Sequence, residues 1–137
     1  MAADTTTTYH SLLHRLLGTV PAVIFRRGST PNGEVGIVQH TNNIVTISRT
    51  ASAPEFASAL MRATVSLHRG AAHASDPVRE ATTIRETAAR LAVHPVLPLL
   101  DAGVEPETLA RALGVDLETV LLGIRLAIAD RDDQIWG

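Results

Sequence analysis

The stretch Ser52-Ala53-Pro54-Glu55-Phe56-Ala57-Ser58-Ala59-Leu60-Met61-Arg62-Ala63-Thr64-Val65-Ser66-Leu67-His68-Arg69-Gly70 carries its own start and stop signals. Ser52 and Glu55 form a capping box: the serine hydroxyl accepts from a first-turn N–H that has no helical partner, and the glutamate reaches back to the N–H of Ser52. Pro54 is tolerated because first-turn N–H groups lack helical partners anyway. Phe56, Leu60, Ala63 and Leu67 follow at helical spacing, which predicts a helix to about His68 with that face buried. Gly70 stops it.

Upstream, Val35–Gln39 and Ile44–Ser48 read as strands around His40–Asn43, where Asn42 and Asn43 suit a tight hairpin turn. Val20–Phe25, rich in β-branched residues, reads as a further strand, and Pro31-Asn32-Gly33 as a turn. Tyr9–Leu17 reads as a first helix with Leu12, Leu13, Leu16 and Leu17 as its apolar stripe. Downstream, Asp76-Pro77 starts a helix to about Ala92, and Pro95, Pro106 and Asp116 mark three further starts. The expected class is α+β: a small three-stranded sheet with an N-terminal helix and a C-terminal helical bundle. The expected organisation is a tail over residues 1–8, one domain over 9–131 and a second tail over 132–137.

A chain of 137 residues, 45% hydrophobic, fits one domain that can bury a core without staples. With no cysteine, disulfides, cysteine-ligated zinc and thiol catalysis are excluded. The net charge of −2 gives no strong field toward nucleic acid or an anionic membrane. All twelve basic residues are Arg, which reads as coding bias rather than a structural choice. The start, Met1 to Thr8, lacks the basic and apolar parts of a signal peptide, and no apolar run approaches the ~20 residues that span a bilayer. A cytoplasmic protein is the expectation.

Several features between Val35 and Arg90 fall in a particular order. They are the strand Ile44-Val45-Thr46-Ile47, the capped helix closed by His68-Arg69-Gly70, and the later Arg85-Glu86-Thr87-Ala88-Ala89-Arg90-Leu91. This order resembles the ImmA/IrrE-like zinc peptidases, especially their short actinobacterial and phage versions, and implies a minimal zincin-like core. Those proteins carry H-E-x-x-H on the helix after the sheet and a further acidic ligand on a later helix. Gapless alignment from Glu55 to Gly70 puts Arg62 and Ser66 at the two ligand His positions and Ala63 at the catalytic Glu position. The later acid falls at Ala81, or at Thr83. The chemistry needs two imidazoles at i and i+4 to hold one metal, and a carboxylate between them to take a proton from zinc-bound water. Here the spacing survives without the chemistry, so the resemblance implies a degenerate member with no metal, no cofactor and no catalysis. A guanidinium at Arg62 is then expected to fill the vacated position by pairing with Glu80 or Glu86.

Other chemistry is thinner. His10 and His14 stand at i and i+4 without a neighbouring carboxylate; His68, His73 and Glu80 are a conceivable relocated metal set, though ordinary loop histidine is the simpler reading. Gly28 and Gly33 lack the Lys-Ser/Thr of a phosphate loop. Residues 107–125 resemble a helix-turn-helix with Gly114 at the turn and Asp116 as cap, but Glu118, Thr119, Leu122 and Arg125 are a poor set for a DNA groove. The final helix has one apolar face of Leu117, Val120, Leu121, Ile124 and Ile128, widened by Leu122 and Leu126, which suits burial or self-association as a homodimer. Ile135 and Trp136 would be an exposed anchor for a partner. The favoured reading is a regulatory or protein-binding module on a peptidase-like scaffold. The alternatives are a zinc peptidase with relocated ligands and a DNA-binding regulator.

Overall fold

The structure is a computed structural model that describes residues 23–70 and 76–136, with side chains as far as residue 132. The helix read at Tyr9–Leu17, and with it His10 and His14, lies outside the described residues, as does His73. The fold is α+β, a mixed three-stranded sheet followed by helices. The strands are β1 (Ile24–Gly28), β2 (Gly36–Gln39) and β3 (Ile44–Ser48). The helices are α1 (Ala53–Arg69), α2 (Pro77–Val93), the short α3 (Leu97–Asp101), α4 (Pro106–Leu113) and α5 (Leu117–Trp136). No helix among the described residues is long and apolar enough to cross a membrane.

The sheet order is β1-β3-β2. β2 and β3 form the expected antiparallel hairpin, with Gln39 opposite Ile44 and Asn43 at φ 54° in the turn. The Pro31–Gly33 turn is present too, with Asn32 at φ 55° and Gly33 at φ 70°, values that Asn and Gly reach at least cost. It carries the chain across the end of β3, where the Ser48 N–H donates to the Val35 carbonyl (2.7 Å) and the Arg49 N–H to the Gly28 carbonyl (3.2 Å). β1 is then free to lie parallel to β3, Ile24 beside Ile44 and Gly28 beside Ser48.

Of the strand expected at Val20–Phe25, residues 20–22 lie outside the described residues; β1 starts at Ile24 and runs past the expected end through Arg26, Arg27 and Gly28. Its pairing needs only backbone groups, and Ile24 to Arg27 are all exposed on this edge, so no apolar residue marks its second half. The backbone of α5 stays helical to Trp136, past the start of the tail expected at 132–137.

α1 begins as its capping box requires: Glu55 N–H donates to the Ser52 hydroxyl (3.3 Å) and Ser52 N–H to Glu55 Oε1 (2.9 Å). It ends at Gly70, φ 85°. The face read from the sequence is half of what α1 buries. Ala59, Ala63 and Leu67 pack on Val45 and Ile47 of β3, with Phe56 at the edge. Met61 and Val65 point the other way, into a second cluster with Ala88, Ala92 and Val93 of α2, Leu109 and Leu113 of α4, and Val120 of α5. α1 is thus the shared wall between a sheet core and a helical core.

α5 crosses α2 at Gly123, which is buried against Ala89 and Val93. That contact sets the rotation of α5 and corrects the apolar face read from the sequence. Val120 is fully buried, Leu122, Ile124 and Leu126 are half-buried, and Leu117, Leu121 and Ile128 face solvent. Of the residues expected to meet a partner, Leu122 and Leu126 are therefore partly covered, and the side chains of Ile135 and Trp136 lie outside the described residues.

Candidate binding cleft

Residues 55, 58, 62, 66 and 69 succeed one another at three- and four-residue steps, so they form one stripe along α1. This stripe is polar, Glu55, Ser58, Arg62, Ser66 and Arg69, and each member meets a different surrounding. At the far end Arg69 grips Glu80 at the start of α2, Nε to Oε1 at 2.6 Å and a terminal guanidinium nitrogen to Oε2 at 2.9 Å. Ser66 lies 3.1 Å from Nε2 of His40 in the β2–β3 turn. Ser58 is 2% exposed and donates to the Asp116 carboxylate just ahead of α5; Thr119 donates to the same oxygen at 2.6 Å. The Asp116 N–H in turn faces the Ser58 hydroxyl at 3.4 Å. The turn made by Gly114, in the left-handed region at φ 75°, delivers Asp116 to this position.

Arg62 is the expectation that fails. Glu80 belongs to Arg69, and neither Arg62 nor Glu86 forms an ion pair with another described residue. For Glu80 the reason is distance along the helix: Arg62 precedes Arg69, which holds Glu80, by two turns, about 10 Å. The other aligned positions do not assemble either. Ala63 is buried in the sheet core, Ala81 is exposed, and the Thr83 hydroxyl donates to the Arg79 carbonyl (3.0 Å). The donor set does not fit zinc: a guanidinium, two methyl groups and two hydroxyls offer no imidazole or carboxylate, and no group of three His, Asp or Glu among the described residues could hold a metal. His68 is exposed at the end of α1. His40 beside Ser66 has the spacing of a base and a nucleophile, but the N–H groups of the helix that carries Ser66 are engaged in its own hydrogen bonds and form no oxyanion hole.

Arg62 opens instead into a cleft of about 630 Å3 between α1, α2 and α5. Met61, Ala88, Leu121 and Leu122 supply its apolar wall. Arg62, Arg85 and Arg125 bring one guanidinium from each helix, and none of the three has a hydrogen bond or ion pair to another described residue. Glu55, Asp116 and Glu118 line the cleft as well. Sequence reasoning named Arg62 and Leu122 for other roles and considered Arg125 for DNA. It missed Arg85 and the cleft itself. One signal was available: 55 to 62 and 118 to 125 are both seven-residue steps, two helical turns, each carrying an acid and an arginine on the same side.

The acids of the cleft are anchored at helix starts. The Ser52 N–H, and after it the Ser52 hydroxyl, hold the Glu55 carboxyl below its ordinary range, against desolvation and repulsion from Asp116. A lowered folded value means stabilisation that is complete above the unfolded pKa of about 4.3 and is lost as pH falls through the lower folded value. Glu55→Gln is therefore expected to melt below the native chain at neutral pH. The gap in Tm should close on acidification below about pH 4; a gap that stays constant down to acid pH would remove the role given to the carboxylate.

Compared with family models, curated proteins and solved structures, the chain matches none.

Proposed function

We propose that this chain is a non-catalytic binding module, regulatory in role, that holds a segment of a partner protein in the cleft between α1, α2 and α5. The observation that carries the reading is the pairing of an apolar wall with three arginines that lack partners among the described residues. Apolar surface supplies affinity and a few placed polar groups supply orientation, the usual division of labour in a recognition site. The volume falls in the range of ligand clefts rather than packing defects. The resemblance to the ImmA/IrrE-like peptidases supports the same reading, because a scaffold that has lost its ligand and base positions keeps only its surfaces. A DNA reading of α4 and α5 fits less well: the exposed side of α5 opens with Leu117, Glu118 and Leu121, and a carboxylate there opposes phosphate.

The test places a photo-crosslinking amino acid at Leu121, in the cleft, and separately at Ala81, exposed on α2 away from it. In the host cell the Leu121 site is expected to give a discrete protein adduct that the Ala81 site does not. Identical adduct patterns from both sites, or none from Leu121 while the chain is folded and expressed, would overturn the reading.

A further inference from the structure

From the distribution of charge within this cleft, and resting on the binding reading above, we infer that its occupant is an acidic protein segment, with carboxylates beside an apolar side chain. The formal charges of the lining balance, three arginines against three acids, but the two signs are not equally satisfied. Glu55 and Glu118 stand in the first turns of α1 and α5, and Asp116 immediately precedes α5. A helix start presents unpaired N–H groups and a partial positive charge, so all three carboxylates already face compensating charge. Two are also hydrogen-bonded within the protein, Glu55 to the Ser52 N–H and Asp116 to the Ser58 and Thr119 hydroxyls.

Among the described residues the arginines have no hydrogen-bond or ion-pair partner. Arg62 and Arg125 lie two turns beyond Glu55 and Glu118, past the reach of the helix-start field, and Arg85 sits mid-way along α2. Elsewhere the chain's guanidiniums commonly find an acceptor: Arg69 takes Glu80, Arg90 takes Asp130, Arg131 takes Asp101, and Arg26 takes Thr46. The three in the cleft line a shared space with no acceptor among the described residues. A guanidinium matches a carboxylate in two parallel hydrogen bonds, and such pairs strengthen where apolar neighbours exclude water. Met61, Leu121 and Leu122 provide that exclusion. A free phosphate or a nucleic-acid backbone has no use for this wall, whereas an acidic segment with a Leu, Phe or Trp beside its carboxylates uses both parts.

Short random peptides displayed on phage are selected on the full chain and then measured against variants. The enriched peptides are expected to carry net negative charge together with apolar residues. Each of Arg62→Gln, Arg85→Gln and Arg125→Gln should weaken them by roughly twofold to fivefold, and the triple variant by about tenfold or more. Arg111→Gln, exposed on α4 outside the cleft, should leave them unchanged, and added salt should weaken binding. Circular dichroism confirms that each variant is folded. Enriched peptides that are neutral or basic, lost on Leu121→Asp yet indifferent to the arginine variants, would overturn this inference and leave the binding reading standing. Acidic peptides held equally well by the triple variant would also overturn it, as would full competition by inorganic phosphate or a DNA oligonucleotide. A self-associating chain that the triple variant renders monomeric would assign the cleft to a second copy instead. Loss of enrichment together with no adduct at Leu121 would remove both readings.

Discussion

Gly123→Ala is expected to destabilise the fold by about 3 kcal/mol, although it replaces the poorer helix former by the best one. Alanine in a helix interior is worth about 0.8–1.0 kcal/mol over glycine, so propensity alone predicts a gain. The crossing of α5 over α2 reverses the sign. A Cβ at Gly123 would stand 2.6 Å from the Ala89 carbonyl oxygen and 2.8 Å from Val93 Cβ, with Val93 Cγ2 nearer still. The obstacle is backbone and the root of a branched side chain, so no rotamer change relieves it, and the helices must separate. Separation opens the contacts that Val120 and Ile124 make with the helical core. Thermal melting should fall by roughly 5–10 °C. Gly36→Ala is the control: its Cβ meets Ala59 Cβ at 3.4 Å, an ordinary contact, and a change within about 0.5 kcal/mol is expected. A Gly123→Ala chain that melts at or above the native temperature would show that the helices do not cross this closely.

Asp116→Ala should cost about 2–4 kcal/mol by urea denaturation, from two separable losses. The first is the carboxylate's own place at the start of α5, where it accepts from the Thr119 hydroxyl and faces the positive end of the helix, about 1 kcal/mol. The second is the Ser58 hydroxyl, 2% exposed, which loses its acceptor and stays buried, at about 1–3 kcal/mol. Asp116→Asn keeps an acceptor oxygen and should cost clearly less. Ser58→Ala removes the orphaned group, so the Ser58→Ala/Asp116→Ala double variant should be less destabilised than the sum of the singles. Strict additivity would mean that the turn before α5 and the middle of α1 are not coupled through this carboxylate.

Local chemistry was legible in the sequence and long-range geometry was not. The capping box at Ser52 and Glu55, the stop at Gly70, the Pro31–Gly33 turn and the Asn43 hairpin turn depend on neighbours within a few residues, and each stands as read. The end of β1 was not legible because an edge strand paired through its backbone can carry Arg26 and Arg27 without any alternation. The second buried side of α1 was missed because Met61 and Val65 are scattered among small and polar residues that a single-stripe reading assigns to solvent. The rotation of α5 depends on one glycine meeting Ala89 and Val93, some thirty positions away, which no periodicity reports. Arg62 stands out in the sequence for its place at a ligand position of the ImmA/IrrE-like pattern; its neighbours Arg85 and Arg125 come from helices that only the tertiary fold brings beside it.

The position of α1 has a consequence for how the molecule comes apart. Its Leu60 packs against both the sheet cluster and the helical cluster. Among the described residues α1 is the helix that closes the sheet cluster, and it also gives Met61 and Val65 to the helical cluster, so loss of α1 exposes the interior of both. Two cores that each owned their walls would open separately, with an intermediate in which one persists. With the wall held in common the cores lose their shelter together, and the chain melts as one cooperative unit in which heat capacity and spectroscopic signal change at the same temperature.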